Sequence, residues 1–81
     1  MPTPPQRQPD ARQLRERREV GDRIRFLRRQ QGVSQEKLGE LIGRDRQTIR
    51  HYEHGLTPAS LDDLVAMARA FGVETWRLFY G

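Results

Sequence analysis

The sequence predicts an all-α domain of five helices around one small core. Three observations carry this. Apolar residues recur at spacings of three and four, as in Val20, Ile24 and Leu27, and again in Leu61, Leu64, Val65, Ala68 and Phe71; this spacing lines one face of a helix. Capping residues bracket the central runs: Ser34 and Gly43 around one, Asp45 and Gly55 around the next, Ser60 and Gly72 around a third. Ser and Asp side chains accept a free N–H at a helix start, and Gly enters the left-handed region at a helix end. Finally, the 81 residues include no cysteine, so an apolar core rather than a disulfide or thiolate metal site must hold the chain together.

Residues 1–10 carry four prolines and only Met1 as a sizeable apolar side chain. Such a stretch cannot build a core and is expected to be a disordered, flexible tail. The domain proper is expected over residues 11–81. Its first helix covers 11–31 and points Val20, Ile24 and Leu27 inward. Only Leu14 is apolar among the charged residues upstream, so the helix starts either near Ala11, as a charged extension, or near Arg18. Glu19 with Arg23, and Asp22 with Arg25, sit at helical neighbour spacing, where an ion pair adds about 0.2–0.5 kcal/mol. Gly32 is the expected stop. The second helix follows Ser34 and presents Leu38, Leu41 and Ile42. The third follows Asp45, with Ile49 and Tyr52 as apolar anchors. Leu56 to Ala59 form a loop, because Pro58 turns Thr57 away from the helical region. Ser60 with Asp63 makes a capping-box-like start to the fourth helix, in which Met67 is core or edge filler. A short fifth helix, rich in aromatics, spans residues 74–80.

The helix after Asp45 carries the functional signal. Two apolar anchors hold it down and leave Arg46, Gln47, Thr48, Arg50 and His51 polar. Arg forks onto guanine O6 and N7, Gln onto adenine N6 and N7, and a Thr methyl meets a thymine methyl. Two short helices across a tight turn suit a helix–turn–helix over residues 35–54. That motif sets the first residues of its second helix against base edges in the major groove. Gln35, Arg44, His54 and Thr57 are candidates for the phosphate contacts that fix register. His51 and His54 are three apart with Glu53 between them, but no third His and no Cys exists to complete a tetrahedral site. No metal or other cofactor is expected. There is no Ser/His/Asp arrangement and no Gly-rich phosphate loop, so no enzymatic activity is expected either.

The order and spacing of Ser34-Gln35, Leu38, Ile42-Gly43, Ile49, Tyr52-Glu53 and Gly55 resemble the Cro/C1-type (xenobiotic-response-element, lambda-repressor-like) helix–turn–helix family. With RIRFLRRQQGVSQ before and LDDLVAMARAFGV after, the resemblance covers residues 20–79. It implies a compact lambda-repressor-like fold. It also implies a sequence-specific, double-stranded DNA-binding transcriptional regulator: a repressor acting as a dimer on a palindromic operator, with its third helix in the major groove. A partly buried ion pair between Arg28 and Glu53 is implied as well. Gly39 departs from the family's usual Ala. Both residues are small enough for two helices to approach, although Gly costs about 0.5–1 kcal/mol in a helix interior.

Charge is unevenly spread. Residues 1–31 hold nine Arg and four acids, a net +5; residues 32–81 hold six basic and seven acidic residues, a net −1; together they give the chain's +4. Fourteen of the fifteen basic residues are Arg, whose fork suits phosphate; a general bias toward Arg in the source genome accounts for the count equally well. No apolar run reaches the ~18 residues of a membrane span, and the start lacks a signal-like stretch, so a cytoplasmic protein is expected.

A homodimer formed mainly on DNA needs a surface used neither by the core nor by DNA. Phe71, Trp76, Leu78 and Tyr80 are the candidates, because the last eleven residues are crowded with large aromatics. Alternatively Trp76 and Phe79 plug the base of the bundle and leave Leu78 and Tyr80 for the interface. Two rival readings stand beside this one. The first is an antitoxin-like or phage-encoded regulator whose main partner is another protein; residues 7–19 are the one segment suited to that partner. The second is a protein-binding helical module without DNA contact, which predicts a third helix lacking hydrogen-bonding side chains.

Overall fold

A computed structural model describes residues 8–80. Most of the tail expected over residues 1–10 lies outside the described residues. Those described form five helices and no strand: α1 (Ala11–Gln30), α2 (Gln35–Ile42), α3 (Arg46–Glu53), α4 (Leu61–Phe71) and α5 (Arg77–Tyr80).

α1 starts at Ala11, not at Arg18. A reciprocal cap fixes it there: the Gln13 N–H donates to Asp10 Oδ1, and the Asp10 N–H donates to Gln13 Oε1, both at 2.8 Å. Two free donors are satisfied at once. Of the ion pairs expected along α1, Arg25–Asp22 forms at 3.2 Å, whereas Glu19 and Arg23 do not pair among the described residues. The next three helices start on their expected caps. Ser34, Asp45 and Ser60 accept from the N–H groups of Lys37, Thr48 and Asp63 at 3.0, 2.7 and 3.1 Å. Gly43 ends α2 with φ of 75°, a left-handed conformation that lets the chain turn sharply into α3. The fifth helix is shorter than expected. Residues 74–76 form a turn, and helix runs only from Arg77.

All five helices contribute to one core: Ile24 and Leu27 from α1, Leu38 from α2, Ile49 and Tyr52 from α3, Leu64, Met67, Ala68 and Phe71 from α4, and Leu78 from α5. Each large side chain buried this way stabilises by about 1.5–3 kcal/mol. The apolar stripes are narrower than their spacing suggested. Leu41, Leu61 and Val65 stay exposed, because each sits on the flank of its helix beyond the packed face.

Two pairing candidates are corrected here. Leu78 has no exposed surface and Phe71 only 4%, since α5 packs against α1 and α4 and both residues join the core. Neither can form a surface between subunits. Conversely, Trp76 is 55% and Tyr80 81% exposed, so Trp76 does not plug the bundle.

Two helix interiors touch a neighbouring backbone through glycine. A Cβ on Gly21 would lie 2.6 Å from the Glu53 carbonyl oxygen and collide with that of Tyr52. α1 therefore packs against the end of α3 too closely to leave room for a side chain at this position. A Cβ on Gly39 would collide with the Arg44 carbonyl oxygen, so the glycine that departs from the family's usual Ala sits where α2 meets the following turn. Among the described residues, no helix is long and apolar enough to cross a membrane.

Candidate nucleic-acid interface

α3 is divided by burial. Ile49, Tyr52 and Glu53 face inward. Arg46, Gln47 and Arg50 are exposed, and Thr48 and His51 are half-buried. The five base-facing candidates thus sit on the side of α3 away from its buried anchors. Gln47 Nε2 and His51 Nε2 lie 3.0 Å apart one turn along the helix, so these two side chains are held together. At the start of α3, the Thr48 N–H donates to the Asp45 carboxylate and keeps that carboxyl below its ordinary range.

An ion pair fixes α3 against α1. Arg28 Nε donates to Glu53 Oε2 at 2.6 Å and Arg28 Nη2 to Glu53 Oε1 at 3.0 Å. Both residues are buried. Arg28 Nη1 also donates to the Val33 carbonyl at 2.9 Å, and Gln35 Nε2 donates to Glu53 Oε1 at 3.2 Å. Every charge-bearing atom of the carboxylate therefore has a donor, as a buried charge requires. The side-chain amide of Gln35 is drawn inward by this network. Its backbone N–H, in the first turn of α2, remains free of intrahelical bonding and faces the end that attracts anions.

A second network was not anticipated. Arg44 Nε donates to Asp63 at 2.9 and 3.2 Å, and the Tyr52 hydroxyl donates to Asp63 Oδ2 at 2.7 Å. Burial pushes the Asp63 carboxyl up, but the bonds from Tyr52 and Arg44 and the charge of Arg44 outweigh it and hold it below its ordinary range. Burial and the bond to Asp63 raise the Tyr52 hydroxyl. Asp63 thereby ties the turn between α2 and α3 to α4. Only the Nε of Arg44 is used, and its half-exposed side chain keeps two terminal nitrogens for another acceptor. A Tyr at a core position was the available signal, because a buried phenol seeks a hydrogen-bond partner.

Arg46 shares a surface depression with Arg28, Arg29, Ser34 and Gln35, so the starts of α2 and α3 open onto the same face. Arg29 had not been singled out from the sequence. His54 and Thr57 are exposed beyond the other end of α3. Among the described residues, no group of three or more His, Cys, Asp or Glu side chains is placed to hold a metal.

The helix–turn–helix family model matches residues 24–75, which include α2, the turn and α3. The chain belongs to the Cro/C1-type helix–turn–helix family. Solved members share its architecture. The restriction-modification controller protein C.AhdI from Aeromonas hydrophila is 35% identical, with a TM-score of 0.77, over 80% of this chain and 98% of that one. A hypothetical transcription factor from Neisseria, NHTF, is 30% identical, with a TM-score of 0.75, over 95% and 86%. The P22 c2 repressor, solved with a synthetic operator, is 27% identical, with a TM-score of 0.71, over 76% and 94%. No curated protein matches the chain in sequence. As a Cro/C1-type protein the chain is a DNA-binding transcription regulator and not an enzyme.

Proposed function

We propose that this regulator reads a specific duplex sequence by setting α3 in the major groove, and that it acts as a homodimeric repressor on a palindromic operator in the cytoplasm. The division of α3 carries the reading. Its inner side is committed to Ile49, Tyr52 and Glu53, while Arg46, Gln47, Thr48, Arg50 and His51 are free of the core. Arg46 and Gln47 stand in the first turn, where such a helix meets base edges. The terminal nitrogens of Arg44, the backbone N–H of Gln35, and the His54 and Thr57 side chains supply phosphate contacts on either side. Repression follows the likeness to the P22 c2 repressor. Trp76 and Tyr80 supply the pairing surface, now without Phe71 and Leu78. The rival module without DNA contact is disfavoured by the hydrogen-bonding face of α3.

Selection from random duplexes gives the preferred site. Arg46→Ala and Gln47→Ala should then each weaken binding to it by about 1–3 kcal/mol and relax preference at one or two base pairs. Affinity for random duplex should fall less. Unchanged relative affinities in both variants would show that α3 does not read sequence.

A further inference from the structure

A groove runs between the first half of α1, the end of α3 and the loop after it, α4 and α5. It encloses about 410 Å³. Its floor is apolar, made by Val20, Tyr52, Ala59, Leu64 and Phe79, and Arg12, Glu16 and Arg17 stand along its α1 wall. The volume lies within the range of small-molecule sites, roughly 300–1,000 Å³, which likewise combine an apolar lining with a few charged groups. The wall is net positive, two Arg against one Glu, and neither Arg12 nor Arg17 joins an ion pair among the described residues. Arg17 is half-buried and Arg12 exposed, so Arg17 is the better-held fork. Residues 12–20 and Phe79 both lie outside the stretch matched by the family model. The groove thus joins residues of the matched stretch, Tyr52, Pro58, Ala59 and Leu64, to residues on either side of it.

We propose that the groove binds a small amphipathic carboxylate, its apolar body on Val20, Ala59 and Phe79 and against Tyr52, its head on Arg17, and that occupancy alters DNA binding. Arg–carboxylate pairing is charge-assisted and bidentate, and it selects an acid over an alcohol of the same body. Tyr52 supplies the link. It is an anchor of α3, and its hydroxyl bonds the same Asp63 that holds Arg44 at the turn. A ligand against its ring therefore bears on the recognition helix and on the turn before it. The effect on DNA rests on the proposed function; the binding itself does not.

Decanoate is the probe, with decanol and acetate as controls, titrated into the full chain while the methyl signals of Val20, Ala59 and Leu64 are followed by NMR. Decanoate should shift all three with one saturable isotherm. Decanol should bind about ten-fold more weakly, and Arg17→Gln should bring decanoate down by a similar factor, the loss of one charge-assisted pair. Ala59→Leu, which fills the groove, should abolish binding with helix content retained; Arg17→Gln decides the matter should Ala59→Leu not fold. Equal affinity for decanol, unsaturable shifts spread over Phe26 and Leu56, or binding unaffected by Arg17→Gln would overturn the site. So would methyl shifts that depend on protein concentration alone, which mark a second copy in the groove. In a parallel arm, saturating decanoate should change affinity for the selected duplex by about five-fold or more. Binding without that change overturns the regulatory role. A protein that binds decanoate but no duplex refutes the DNA reading and leaves the site standing.

Discussion

Removing the Glu53 carboxylate tests what holds α3 in place. Glu53→Ala deletes the two bonds from Arg28, at 2.6 and 3.0 Å, and the one from Gln35 at 3.2 Å. The guanidinium keeps only the Val33 carbonyl, and Arg28 is just 9% exposed, so water cannot fully replace what is lost. Two routes give the size of the effect. Stranding one partner of a buried pair costs about 3–5 kcal/mol. Two hydrogen bonds between charged groups, at roughly 1.5–3 kcal/mol each, give a similar total. Whole domains are stable by only about 5–15 kcal/mol, and small ones sit near the lower end. At about 4–8 °C per kcal/mol for this size, the melting temperature should fall by about 12 °C or more. Thermal and urea melts followed by circular dichroism measure this. The double variant Arg28→Met/Glu53→Leu should recover much of the loss, because it leaves no charge without a partner. A cost below about 1 kcal/mol for Glu53→Ala, the range of exposed pairs, would refute the reasoning. So would a double variant as destabilised as the sum of the two singles.

Gly21→Ala should destabilise by about 1–3 kcal/mol through overpacking against the end of α3, outweighing the about 0.5–1 kcal/mol that Ala gains in a helix; a higher melting temperature would show that α1 and α3 have room to part. Leu78→Glu should unfold the domain, since it places a carboxylate in the core. Tyr80→Glu should leave the melt unchanged and weaken operator binding; a saturated one-to-one complex with full sequence preference in sedimentation would remove the dimer. Asp63 has a lowered carboxyl, so its contribution is complete above the unfolded value of about 3.9 and is lost as pH falls through the lower folded value. Below pH about 4 the wild type should therefore lose stability more steeply than Asp63→Asn, and parallel acid melts would contradict the Asp63 network.

Local chemistry was legible in the sequence, and distant contact was not. Ser34, Asp45 and Ser60 act on N–H groups three residues away, so their helix starts could be read directly. The Asp10–Gln13 box is equally local, but Leu14 is the only sizeable apolar residue between it and Val20, so no apolar stripe marks a helix start there. The Arg28–Glu53 pair is 25 residues apart, and only the family resemblance pointed to it. Asp63 meets Arg44 and Tyr52 at separations of 19 and 11, and Gly21 meets α3 across more than thirty. No periodicity reports such encounters. Leu78 was misjudged for a related reason: a one-turn helix has too few residues to reveal its inner side, and its neighbours on α1 and α4 decide which side that is.

The split of α3 has a consequence for how such proteins diversify. The anchoring positions and the proposed reading positions do not overlap. Changes at exposed sites away from special features usually alter stability by no more than about 0.5 kcal/mol, so Arg46 and Arg50 are open to exchange without a folding barrier to cross. Gln47 and His51 are bonded to each other, and a change at one frees the other, so these two would be expected to drift as a pair. If these positions read bases as proposed, a lineage carrying this scaffold can move to new target sequences through single steps at Arg46 and Arg50 and a concerted step at Gln47 and His51, with Ile49, Tyr52 and Glu53 untouched throughout.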